Sequence, residues 1–84
     1  MTPKQISEAV SAIFDRVHGY RTYMHRYPEL SFQEHNTMLF VSETLSKHGI
    51  RHDKGVGKTG VVAYIEAPNS TRWIGLRSDL DALP

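Results

Sequence analysis

The sequence predicts an α/β protein in which two N-terminal helices precede three strands. Three observations carry that expectation: a long apolar stripe at helical spacing near the start, a second amphipathic segment ending at Gly49, and short β-type runs after it. Hydrophobic content of 39% and charged content of 23% are those of a globular chain rather than a disordered or collagen-like one. With 84 residues there is room for one small domain, which buries only roughly 60% of its unfolded surface.

Thr2 followed by Pro3 reads as an N-cap and first helical position, because the hydroxyl accepts a free amide and proline has none to leave unpaired. Ile6, Val10, Ile13, Val17, Tyr20 and Met24 then recur at alternating steps that place them on one helix face, to about residue 27. Gly19 costs about 1 kcal/mol relative to alanine but the stripe runs through it. Pro28 ends the helix, since it restricts the residue before it.

Ser31-Phe32-Gln33-Glu34 fits a capping box, which predicts a second helix over 32–48. Met38, Val41 and Leu45 face inward with Phe40 on a flank, and Gly49 supplies a left-handed stop. Two helices so closely joined are expected to pack together. The strands are predicted over 50–54, 61–65 and 72–76, with a turn at Pro68, Asn69 and Ser70. Trp73-Ile74-Gly75-Leu76 is continuously apolar, as for a strand covered on both faces.

Lys plus Arg number 10 against 9 Asp plus Glu, and the basic residues are scattered singly, so neither nucleic acid nor an anionic membrane is an expected partner. No stretch is apolar enough for a membrane span and no signal-peptide pattern opens the chain. The absence of cysteine fits a reducing compartment, and a cytoplasmic location is expected.

Gly55-Val56-Gly57-Lys58-Thr59-Gly60 carries the Gly-Lys-Thr of a phosphate loop, but the loop pattern needs glycine where this chain has His52, and a helix where 61–65 read as strand. A glycine-rich turn between strands accounts for it better. His18, His25, His35, His48 and His52 form no helical metal pair, and read as surface or capping histidines. His25 stands apart, placed at a helix C-terminus where a protonated ring is favoured. Asp79 and Asp81, one residue apart, put two carboxylates on one side of an extended segment, a spacing that serves either a ligand site at a strand end or a solvated turn, and the apolar residues on both sides favour the former.

Three stretches together resemble the N-terminal part of the M20 metallopeptidase superfamily, in its amidohydrolase branch of hippurate hydrolases, N-acyl-amino-acid amidohydrolases and auxin-conjugate hydrolases. The run from Met24 to Thr37, with His25, Pro28, Glu29 and Glu34, is similar to that branch's His-x-x-Pro-Glu-Leu-Ser-Phe-x-Glu-x-x-Thr. Gly57-Lys58-Thr59-Gly60-Val61-Val62-Ala63 resembles its second motif, and Leu76-Arg77-Ser78-Asp79-Leu80-Asp81-Ala82-Leu83-Pro84 its third.

The resemblance implies that residues 1–84 are the opening, incomplete part of one α/β/α zinc-peptidase-like catalytic domain. It implies a parent enzyme that cleaves the amide bond of small N-acyl amino acids with water activated by divalent metal, zinc or manganese and two ions, and that can form homo-oligomers. Asp81 matches the aspartate that orients a metal-binding histidine in M20 peptidases, and Asp79 falls where that histidine would be. The branch takes its metal through a later Cys-Gly-His segment, a glutamate and further histidines. No direct ligand or catalytic residue is therefore expected within these residues. Asp79 and Asp81 are expected in the pocket wall or behind the ligands, and His25, Pro28, Glu29 and Glu34 as structural parts of the first motif. These residues alone are expected to hold no cofactor and hydrolyse nothing. The alternative is a free-standing, non-catalytic α/β binding module derived from the same family.

Overall fold

Helix α1 spans Pro3–Arg26, α2 spans His35–Lys47, and strands β1 (Arg51–Val56) and β2 (Gly60–Tyr64) form a two-stranded antiparallel sheet, in a computed structural model that describes residues 1–83. The chain is thus α/β, with α2 lying against the hairpin.

The start of α1 is closed as its residues require: Thr2 Oγ1 accepts from the Gln5 amide at 3.2 Å, while the Thr2 amide donates to Gln5 Oε1 at 2.8 Å. At the other end Tyr27 leaves helical geometry (φ −123°, ψ 64°), as a residue preceding proline must. The stripe is less buried than its spacing suggests. Ile6, Val10, Ile13 and Val17 are exposed, and only Tyr20 and Met24 are half-buried. The two helices meet through aromatic rings near the end of α1: Tyr23 stacks on Phe40 at 4.3 Å between centroids, and Tyr20 meets the same ring edge-on at 5.9 Å.

The predicted second helix starts too early. Gln33 donates its amide to the Leu30 carbonyl at 2.9 Å, closing a turn in which Phe32 has φ +64°. A residue in that left-handed conformation cannot be a first helical residue, so the Ser31 capping box does not form and α2 begins at His35 with Glu34 as its N-cap. The far end is as expected: Gly49 has φ +67°, and the Ile50 amide reaches back to the Leu45 carbonyl at 3.0 Å. Met38, Phe40, Val41 and Leu45 are all half-buried.

The hairpin pairs Arg51 with Tyr64 and Lys54 with Val61, and then slips by a bulge so that Val56 meets Gly60. Gly55 (φ +77°) and Gly57 (φ +60°) supply the backbone freedom for that bulge and turn. Gly60 is required for a different reason, since a Cβ there would lie 2.5 Å from the Val56 carbonyl oxygen. The strand after Lys58 confirms a hairpin turn in place of a phosphate loop. On the outer face Arg51 lies 4.2 Å over the Tyr64 ring and pairs with Glu66, and Tyr64 Oη donates to Asp53 Oδ2 at 3.0 Å.

The predicted third strand is not formed. Asn69 (φ +62°) makes the expected turn, but beyond it residues 70–83 adopt no regular structure. Trp73, Ile74 and Leu76 are 66%, 89% and 95% exposed. Apolar composition favours burial in a sheet, yet a strand exists only by pairing its N–H and C=O groups with a neighbour, and this segment makes no ladder with β2. Among the described residues no apolar side chain is fully buried; the buried ones are Glu34, Thr37, Ser42 and Thr59.

The glycines separate sharply under substitution. Gly19→Ala meets nothing within 4 Å and should stabilise by about 0.5–1 kcal/mol, whereas Gly60→Ala should destabilise by about 1–3 kcal/mol, opposite shifts that urea denaturation reads directly.

Candidate functional site

The site is organised by the first free amides of α2. An α-helix leaves these donors without intrahelical partners, and an anionic group is favoured beside them. Glu29 fills that place across the turn. Its Oε1 accepts from the Thr37 amide at 2.6 Å and from Thr37 Oγ1 at 2.7 Å, and its Oε2 accepts from the Asn36 amide at 3.2 Å. Desolvation pushes the Glu29 carboxyl up, but the bonds from Thr37 and Asn36, with the neighbouring His35, outweigh it and hold the group below its ordinary value of 4.5.

The same loop holds two other parts of the chain. Glu34, 8% exposed, accepts from Thr59 Oγ1 at 3.0 Å, and Thr59, at 3%, is the most buried of the described residues. This pins the hairpin turn to the N-terminus of α2. The Glu29 carbonyl oxygen accepts from the Ala82 amide at 2.8 Å, which draws in the acidic segment. Segments far apart in sequence therefore converge on residues 29–34.

Between α2, the hairpin and residues 73–81 lies a cavity of about 840 Å³. Its wall includes Asp79 and Asp81 together with Glu34, and an apolar side made by Val41, Leu45 and Trp73. Asp79 Oδ1 pairs with Arg77 Nη2 at 2.9 Å, and both side chains are exposed. Among the described residues no three His, Asp or Glu side chains are arranged to hold a metal ion. The carboxylates present do not by themselves fit a metal centre. His25 lies exposed in the last turn of α1 beside the exposed Pro28, and the described residues give its ring no hydrogen bond. Pro84, the end of the third motif, lies outside the described residues.

The chain is 40% identical over 82 residues to thermostable carboxypeptidase 1 of Saccharolobus solfataricus, which covers 96% of the chain and 21% of that protein. It is 38% identical over 84 residues to the N-acyl-L-amino acid amidohydrolase of Geobacillus stearothermophilus, 100% of the chain and 23% of the relative. With the hippurate hydrolase of Campylobacter jejuni it shares 44% identity over 64 residues, 76% of the chain and 17% of the relative. Over most of its length the chain is thus similar to part of proteins named as amidohydrolases, hippurate hydrolases and carboxypeptidases. It spans about a fifth of the length of the curated relatives it matches. No family model matches the chain, and no solved structure matches it.

Several contacts have no counterpart in the sequence pattern. Glu29 is a helix cap rather than only a motif residue, and Thr37 and Thr59 are its and Glu34's partners. Ser42, buried on α2, donates to His52 Nε2 at 2.7 Å, while His52 Nδ1–H donates to the Ile50 carbonyl at 2.9 Å. His52 thus ties the hairpin to the helix instead of lying free. His48 does cap, donating from Nδ1 to the Thr44 carbonyl at 2.9 Å and accepting from Arg16 at 3.4 Å. The available signal for Glu29 was the pairing of an acid with a threonine just inside a helix start, but the span between them exceeds a capping box.

Because the folded Glu29 carboxyl titrates below the unfolded one, its contribution is complete above pH 4.5 and disappears as pH falls through the lower folded value. Glu29→Gln should therefore cost about 0.5–2 kcal/mol at neutral pH, and the gap between variant and native protein should close in acid, as denaturation at stepped pH will show.

Proposed function

We propose that this chain forms the opening part of the catalytic domain of a metal-dependent amidohydrolase that cleaves the amide bond of N-acyl amino acids. The observation that carries this reading is the convergence of all three motifs on one cavity, through the Glu34–Thr59 and Glu29–Ala82 hydrogen bonds. The names of the relatives, an N-acyl-L-amino acid amidohydrolase, a hippurate hydrolase and a carboxypeptidase, support hydrolysis at an amide or peptide bond.

In this reading the metal ions, zinc or manganese, are held by residues outside those described, and when bound they supply an activated water. The chain's own residues shape and orient. Asp79 and Asp81 line the wall, where outer carboxylates set the direction of ligands that they do not replace. Glu29 and Glu34 hold the loop that positions them. The apolar side at Val41, Leu45 and Trp73 suits an acyl group. A cytoplasmic, self-associating parent fits this reading, and no helix among the described residues is long and apolar enough to cross a membrane. The alternative of an autonomous binding module is not favoured, because it leaves Trp73, Ile74 and Leu76 in water.

The full-length protein should release the amino acid from hippurate, and a chelator should abolish that release until zinc or manganese is returned, while residues 1–84 alone should release none. Failure of the full-length, metal-loaded protein to cleave any N-acyl amino acid would refute the proposal.

A further inference from the structure

Apart from the cavity between α2 and the hairpin, a second cleft of about 290 Å³ opens where the end of α1 meets α2. Its two walls follow from helix geometry. Tyr23, in the last turn of α1, and Tyr27, its C-cap four residues on, form one wall; Asn36, Phe40 and Glu43, at steps of four and three along α2, form the other. Tyr23 stacks on Phe40 with the ring planes 20° apart, and Tyr27 leans on Tyr23 at 5.1 Å between centroids, so the three rings make one continuous aromatic surface. Much of it faces water: Tyr23 and Tyr27 are 46% and 55% exposed. Glu43 lines the same cleft, and it forms no ion pair among the described residues although Lys47 stands one turn further along α2.

Ring faces are electronegative, and with a carboxylate beside them they favour a cation. The flat aromatic surface favours a planar one. A guanidinium is planar, weakly hydrated and always charged, and its N–H fork matches a carboxylate while its plane lies on a ring; the compact, strongly hydrated ammonium of lysine suits both less well. The hairpin of this same chain shows the combination complete, for there Arg51 lies over the Tyr64 ring and pairs with Glu66. At the cleft the tyrosines and the carboxylate are present, and among the described residues no cation lies over those rings.

We infer that the cleft formed by Tyr23, Tyr27, Phe40 and Glu43 is a binding site for a guanidinium group. The plane of the ligand rests on the tyrosine rings, and its N–H groups donate to the Glu43 carboxylate. The site shares no lining residue with the cavity that holds Asp79 and Asp81, and it stands whether or not the amidohydrolase reading does.

The test is a calorimetric titration of the full-length protein with n-butylguanidinium and with n-butylurea, a neutral compound of nearly the same shape, for native protein, Glu43→Gln, Tyr27→Leu and Tyr27→Phe. Native protein should bind butylguanidinium about 10-fold or more tightly than butylurea. Glu43→Gln and Tyr27→Leu should each weaken butylguanidinium by about 3-fold to 30-fold, and Tyr27→Phe, which keeps the ring, should retain it. Both altered side chains are exposed, so melting temperatures should stay near the native value. Blocked acetyl-glycyl-arginyl-glycinamide, titrated in parallel, separates the sources: binding as tight as that of butylguanidinium supports an arginine side chain on a protein, and binding of butylguanidinium alone supports a free guanidinium compound. Equal affinity for butylguanidinium and butylurea, no binding of butylguanidinium to native protein, or an affinity unchanged in both Glu43→Gln and Tyr27→Leu overturns the inference.

Discussion

The carboxylate of Glu29 against the first amides of α2 is the constraint on which the remaining geometry depends. By satisfying the Asn36 and Thr37 amides from across a turn, it frees the residues between from helical geometry. Phe32 can then adopt its left-handed conformation, and Glu34 arrives beneath the hairpin turn with its side chain directed to Thr59. The backbone of the same Glu29 takes the Ala82 amide. A single loop thereby fixes the start of a helix, the tip of a hairpin and the direction of an acidic segment.

That arrangement is polar throughout, which is unusual for the most buried part of a chain. Interiors are ordinarily apolar, with polar groups admitted only where they are paired. Here the buried positions belong to Glu34, Thr37, Ser42 and Thr59, each with a hydrogen-bond partner, and the apolar side chains lie half-buried or exposed around them. The fold is stitched at the site more firmly than it is packed elsewhere. The cavity therefore has a hydrogen-bonded rim at Glu34 and Thr59 beside an apolar wall that lies half-buried or exposed.

The neighbouring relatives make that combination intelligible. Their names describe hydrolysis of amide or peptide bonds, and the chain matches about a fifth of their length. The cavity the described residues form has an apolar side at Val41, Leu45 and Trp73 and carboxylates at Glu34, Asp79 and Asp81. The cavity carries Glu34 at the hairpin turn and Asp79, paired with Arg77, beside Asp81 on the acidic segment.

Much of the local structure was written in the sequence. Thr2 and Pro3 determine where α1 begins, Pro28 where it must have ended, Gly49 where α2 stops, and Gly55 to Gly60 that a turn and not a phosphate loop joins β1 to β2, because each of these depends on the dihedral preferences of one or two residues. The start of α2 was misplaced because Ser31 satisfies a local capping rule that the Phe32 turn overrides. A strand over 72–76 was misread because apolar composition cannot supply a ladder partner. Kinship was legible in three motifs, but their meeting at one cavity was not. Glu29 and Thr37 are separated by a turn, and Glu34 and Thr59 by a helix and a strand, and only the folded chain, by closing those distances, decides which side chains share a site.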